Sequence, residues 1–186
     1  MKRPERVLLA FSLFLISASN LVEAASNWQE LNAQVTSLYG QGRVTEALPV
    51  AQEALQVAES QFGPETPETA LSLNNLALLN KSQNKLKEAE GLYLRALKIA
   101  EKIVGPEGPD VAVTLNNLAI LYDAQGNLVQ AEKTYDRILS IIEKSYGPVH
   151  ANVAATLERY ATLLRKAGKT ARADELDAKA ANIRNG

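Results

Sequence analysis

Between residues 115 and 142 the apolar positions follow a helical rhythm that is interrupted once. Leu115, Leu118, Ala119 and Tyr122 stand at i, i+3, i+4 and i+7, the spacing of one buried face of an amphipathic helix. The polar stretch "AQGN" at 124–127 breaks the pattern, and Leu128, Ala131, Tyr135, Ile138 and Ile142 then mark a second, longer stripe. That stripe stops at Gly147-Pro148, a terminal glycine followed by a proline that cannot continue a helix. The segment therefore reads as helix, turn, helix, break.

The same passage recurs along the chain. "LNNLA" stands at 73–77 and again at 115–119, a shift of 42 residues, and other positions keep that shift. Leu31, Leu73, Leu115 and Leu157 form one column, Ala77, Ala119 and Ala161 a second, and Ala47, Ala89, Ala131 and Ala173 a third. Gly63-Pro64, Gly105-Pro106 and Gly147-Pro148 punctuate the units. Gly42, Gly126 and Gly168 share a turn column in which Asn84 replaces glycine, and both residue types tolerate positive φ. Helix starts are prepared between units: Thr66 is a capping residue, Pro67 suits the first helical position, and Glu68 faces the positive end of the dipole. Gly108, Pro109 and Asp110 take those parts one unit later. Ala77 and Ala89 flank the turn where two antiparallel helices cross, and small side chains there allow close approach. Ala96, with Ile138 and Ala180 in its column, is expected to face the following pair. No single pair can bury its apolar faces alone, so the units must stack into one continuous core.

Leu73, Ala77, Asn84, Ala89, Tyr93 and Ala96 match the pattern of the tetratricopeptide repeat (TPR). The shift of 42 and the phrases "LNNLA", "EAE" and "RALKIAEKIVGPEGPDVA" resemble its kinesin light chain variety. The resemblance covers about residues 28–186 and implies an all-α fold, a right-handed α-α superhelix (TPR solenoid) of four helix-turn-helix repeats, at about 28–61, 70–103, 112–145 and 154–186. It implies protein binding without naming a partner, because the family is defined by architecture. The terminal units depart from the pattern, as ends that meet water must. The first carries Gln34, Val35 and Pro49, and the last has Glu158-Arg159 for the asparagines and a very polar final helix, expected to serve as its own cap.

The first 24 residues are of another kind. Lys2, Arg3 and Arg6 precede the apolar run "VLLAFSLFLI" at 7–16, about half the length that spans a bilayer. Val22-Glu23-Ala24 then offers a cleavage site, so residues 1–24 are expected to be a signal peptide and 25–186 the TPR domain, exported to a bacterial periplasm or secreted and without stable membrane insertion after cleavage. Loss of three basic and two acidic residues from totals of 20 and 21 leaves a faintly acidic remainder, which argues against a nucleic-acid partner.

The chemistry available is limited. Without cysteine the chain has no disulfide, thiol nucleophile or cysteine zinc site. The single histidine, His150, lies in the turn "GPVHAN" with no partner in view for catalysis and is expected to be a solvated loop residue. Glu88, Glu90, Glu132 and Asp174 fit surface ion pairs, and Tyr93, Tyr122, Tyr135 and Tyr160 stand at packing positions. No catalytic residue, metal site or cofactor is expected, and the protein is not expected to be an enzyme.

The paired asparagines require their own explanation, since asparagine is a mediocre helix former. With Leu73, Leu76, Ala77 and Asn80 packing inward, Asn74, Asn75, Leu78, Lys81 and Ser82 face away. The family resemblance implies that this face lines a concave groove and that Asn75 and Asn117 clamp the backbone of an extended peptide, for which an amide supplies donor and acceptor together. Asn74 and Asn116 fit either that role or bonds between repeats. Lys81 and Arg159 are further candidates for peptide contact. The expected function is an adaptor or scaffold holding a protein or extended peptide in the groove. The alternatives are a structural subunit of an envelope or secretion assembly, using the solenoid ends or convex face, and an enzyme or small-ligand sensor of no recognised type. Oligomeric state is left open.

Overall fold

The computed structural model describes residues 27–185, so the expected signal peptide at 1–24 lies outside the described residues. Eight helices account for almost all of them: α1 (27–40), α2 (Val44–Gln61), α3 (Pro67–Ser82), α4 (Leu86–Val104), α5 (Pro109–Ala124), α6 (Leu128–Tyr146), α7 (Ala151–Lys166) and α8 (Thr170–Asn185). Odd- and even-numbered helices pair as antiparallel hairpins, and each hairpin packs on the next, giving an all-α repeat superhelix.

The turns form for the reasons the sequence supplies. Asn84 adopts φ 60°, beside 74°, 72° and 73° at Gly42, Gly126 and Gly168, so the one substitution in that column keeps the left-handed conformation. Thr66 caps α3 by accepting the Thr69 N–H at 3.4 Å, with Pro67 at the first helical position. Gly108 precedes α5 in an extended conformation without a side-chain cap, and Pro109 opens the helix. At α7 the capping group is His150, exposed as expected, whose Nδ1 accepts the Asn152 N–H at 3.1 Å while its ring stacks 4.9 Å from Tyr146.

The hairpins close around the alanine columns. Ala77, Ala89, Ala119, Ala131, Ala161 and Ala173 are all fully buried, letting each pair approach closely while Tyr93 or Leu157 fills the space alongside. Ala96 belongs to a buried cluster with Ala70, Leu73 and Ile99 of its own hairpin, and Leu55 of the preceding hairpin packs against that cluster. The last helix is sparingly buried: α8 buries only Ala173, Leu176 and Ala180. Glu158, where earlier repeats have asparagine, turns to Arg184 of α8 at 2.7 Å.

Candidate functional site: the inner face of the odd-numbered helices

The odd-numbered helices α3 and α5 of neighbouring hairpins touch. Even-numbered helices are joined across the repeats by long side chains: Glu59 to Arg95 at 2.6 Å and, one repeat on, Glu101 to Arg137 at 2.5 Å. A second ionic column ties the loop before an odd helix to the even helix that follows it, with Glu65 on Lys102 and Glu107 on Lys144. The α3–α5 contact makes the odd-helix side the tighter, inner side of the stack at the central hairpins.

A ladder of polar side chains crosses the seams between these helices. Trp28 Nε1 donates to Ser72 Oγ at 2.9 Å, and Asn74 Nδ2 donates to Thr114 Oγ1 at 3.1 Å. Asn75 Nδ2 donates to Asn32 Oδ1 at 2.9 Å, and Arg159 donates to Asn116 Oδ1 at 3.2 Å. The last two bonds are the same bond two repeats apart, since Asn75 and Arg159 share a column, as do Asn32 and Asn116. Asn117, the member of that column between them, makes no side-chain hydrogen bond among the described residues, while Asn74 Oδ1 opposite is buried without a partner. Of the residues singled out in the sequence, Asn74, Asn75, Asn116 and Arg159 are thus engaged between repeats. Asn117 is half-buried with its amide unengaged.

Around these amides the inner face changes character along the stack. Leu71, Val113 and Ile120 are 46%, 63% and 38% exposed, and Leu78 is half-buried. Their counterparts in the outer repeats are Gln29 and Thr36 in α1, and Ala155 and Thr162 in α7. These two columns are apolar in α3 and α5, with Asn75 and Asn117 among them, and exposed Tyr39 of α1 continues the apolar surface beside Asn75 and Leu78. Three hollows adjoin it, the smallest of about 100 Å³ between α1 and α3 beside Tyr39, Asn75 and Leu78. One of about 400 Å³ lies between α3 and α5 over the end of α4, lined by Leu71, Asn74, Ile103, Val104 and Val113. Its repeat-related partner of about 310 Å³ lies between α5 and α7 and includes Asn116, Asn117, Tyr146 and Arg159.

Salt bridges gather around the last two hairpins. Lys166 pairs with Asp123 at 2.5 Å, Lys169 with Glu132 at 2.8 Å, and Arg165 with Asp174 and Asp177. Lys81 and Arg159 make no ion pair among the described residues. Lys81 is half-buried, and that burial lowers its pKa because the charged ammonium loses water. The tyrosines are packing residues: Tyr135 stacks on Tyr160 at 5.3 Å, and burial first, then a 3.0 Å hydrogen bond to Asp136, push the Tyr160 phenol up to about 12. Glu90, Glu132 and Asp174 serve in surface contacts. No cluster of metal-ligating side chains occurs among the described residues.

Two features of the stack went unread in the sequence, the Ser72–Thr114–Thr156 column and the Glu–Arg pairs between even helices. Both keep the shift of 42 and could have been found by extending the column search to polar residues.

Such a stack of helical hairpins, with an open curved face and chain-long periodicity, defines a repeat scaffold of the protein-interaction type. The tetratricopeptide repeat model matches residues 30–102, 82–135 and 110–185, and the chain belongs to that family. Among solved structures it is similar to BtubC (BKLC) from P. vanneervenii, at 24% identity and a TM-score of 0.78, covering 85% of this chain and 63% of that one. It is also similar to a Podosopora anserina structure described by its nearly identical kinesin light chain TPR-like repeats, at 20% identity and a TM-score of 0.75, covering 84% and 74%. Pseudomonas aeruginosa pilF shares the fold more distantly, at 16% identity and a TM-score of 0.65, covering 88% and 64%. These likenesses carry the fold alone. No curated protein matches the sequence.

Proposed function

We propose that this protein is an exported, non-catalytic adaptor that holds a segment of another protein on the inner face of α3 and α5. The observation that carries the reading is the repeat-related pairing of apolar side chains on the inner face of α3 and α5, exposed Leu71 with Val113 and half-buried Leu78 with exposed Ile120, around the Asn75 and Asn117 amides. Exposed apolar side chains grouped on a curved face mark an interaction site, whereas single ones scattered over a surface need no explanation. The amides of Asn75 and Asn117 stand within that patch and supply hydrogen bonding for a bound backbone. Export is proposed from the basic-apolar-small order of residues 1–24.

Assembly through the solenoid ends has less to recommend it. α8 presents a very polar surface and pairs Arg184 with Glu158, and exposed positions of α1 and α2 carry Gln34, Gln52, Glu53 and Gln56. The test is site-specific photo-crosslinking in the native envelope. A photoreactive residue at Ile120 should capture a discrete partner, whereas one at Val129 or Leu94, exposed on even-numbered helices, should not. Capture confined to the even helices or to the ends would overturn the proposal in favour of a structural subunit.

A further inference from the structure

We infer that the hollow between α5 and α7 is a binding site for a small planar aromatic molecule carrying one N–H donor, an indole-class compound. The site lies in a seam between repeats and takes a free small molecule, a ligand of another class than the protein segment proposed for the inner face.

The chain itself shows what fills such a seam. Trp28 stands near the start of α1, and its column continues as Ala70, Ala112 and Ala154. In the first seam the Trp28 ring lies edge-on to Phe62, which follows α2, with centroids 5.9 Å apart. Its Nε1 donates across the seam to Ser72 Oγ of α3 at 2.9 Å. Phe62 shares a column with Val104 and Tyr146, and Ser72 shares one with Thr114 and Thr156. Ala70, Val104 and Thr114 all line the hollow between α3 and α5, and Ala112, Tyr146 and Thr156 all line the hollow between α5 and α7. Each hollow is the place that an indole occupies in the first seam, left open because alanine stands in the tryptophan column.

The two hollows differ in what they offer a ring. Ser72 Oγ donates to the Glu68 carbonyl at 2.9 Å, which leaves its lone pairs for the Trp28 N–H. Thr156 repeats the first half of this arrangement, its Oγ1 donating to the Asn152 carbonyl at 2.9 Å. That hydroxyl accepts no hydrogen bond among the described residues, although Thr156 is only 7% exposed. Thr114 Oγ1 instead accepts the Asn74 amide at 3.1 Å. Tyr146 also brings an aromatic ring to the place of Phe62, where the other hollow has Val104. The α5–α7 hollow keeps all three parts of the first seam: room above an alanine, an aromatic wall and a buried acceptor.

Size and polarity fix the ligand class. At about 310 Å³ the hollow stands at the lower end of the range for small-molecule pockets, about 300–1,000 Å³, which combine apolar walls with a few placed polar groups. Val113, Ile138 and Ile142 supply the apolar walls. A buried ring N–H needs an acceptor, which Thr156 provides. A purely apolar ring would cover the Thr156 oxygen and leave it unsatisfied, at a cost in affinity.

Purified protein titrated with fluoroindole and followed by fluorine NMR should show saturable binding with a Kd of about 1 mM or tighter, within reach of so small a ligand. Benzofuran, the same shape with oxygen for the N–H, should compete about three- to tenfold less well than indole, the loss of one hydrogen bond. Thr156→Val keeps the side-chain shape and should remove that preference. Ala112→Trp should fill the hollow from within, abolish binding and hold the melting temperature, as a ring seated like Trp28 would. Absence of saturable binding, equal competition by indole and benzofuran in the parent, or binding that survives Ala112→Trp overturns the inference. A melting temperature lowered by Ala112→Trp, as by an overfilled core, also overturns it, because the ring then does not fit the hollow. N-acetyltryptophanamide, the same ring on a peptide unit, should bind no more tightly than indole. Tenfold tighter binding would make the hollow a seat for a partner's side chain and overturn the free-ligand assignment. None of these outcomes depends on capture at Ile120, so the adaptor reading and the ligand site stand or fall separately.

Discussion

Asn75→Ala and Asn117→Ala remove the same atoms from equivalent places in neighbouring repeats, yet they should have different effects on stability. Asn75 Nδ2 donates to Asn32 Oδ1 at 2.9 Å, and Asn32 is a buried residue, 8% exposed. Removing the donor takes away a hydrogen bond worth about 0.5–1.5 kcal/mol net and leaves a poorly solvated acceptor, which raises the cost to about 1–3 kcal/mol. Alanine returns at most about 0.7 kcal/mol through its better helix propensity. Asn75→Ala should therefore destabilise by about 1 kcal/mol, a fall in melting temperature of about 2–4 °C for a chain of this size. Asn117 makes no such bond, so only the propensity gain remains, and Asn117→Ala should leave stability unchanged or raise it by up to about 0.7 kcal/mol. Urea titration followed by circular dichroism measures both in one buffer. Equal destabilisation by the two substitutions would refute the reasoning, because Asn117 would then be a rung of the inter-repeat ladder.

Three further expectations follow from the packing. Ala119→Trp places a large ring where the fully buried Ala119 and Ala131 let α5 and α6 close together, and should cost about 1–3 kcal/mol or more in the same titration; an unchanged midpoint would misplace the crossing. The Tyr160 phenol is raised in the folded state to about 12, so its contribution to stability is complete below the unfolded value near 10 and is lost as pH rises towards 12. Ultraviolet titration should accordingly find some of the six tyrosines un-ionised at pH 11 in folded protein, and full ionisation at pH 10.5 without unfolding would contradict the buried assignments. Protein purified from an envelope should begin at or near Ala25 by intact mass, and a chain retaining Met1 would defeat the export proposal.

The fold was open to reading from the sequence because its determinants are local and repeated. Asn84 was recognisable as a turn residue because it fills a glycine column, and it adopts φ 60°. Thr66 and Pro67 announced the start of α3 through capping chemistry that needs no tertiary context. The alanine columns located the crossings because only small side chains fit there. The site was less legible. Leu73 and Asn74 differ by one residue, which on a helix is the difference between the core and a seam, and the rotation of the neighbouring repeat decides which seam atoms meet. Asn75 reaches Asn32 while Asn117, identical in local sequence, engages nothing within the protein. The same holds for His150, whose capping bond to the Asn152 N–H depends on the side-chain conformation at a loop that the sequence shows only as polar.

The most direct test of the central claim is the affinity of the crosslinked partner for Ile120→Asp, measured beside its melting temperature. Ile120 is 38% exposed on α5 and lies outside the buried clusters, so the charge should be tolerated by the fold. The account predicts a melting temperature within a degree or two of the parent, as expected of surface changes of about 0.5 kcal/mol or less, and a tenfold or greater loss of affinity. Unaltered affinity with an intact fold would mean that the partner binds elsewhere and that the apolar face of α3 and α5 is not the site.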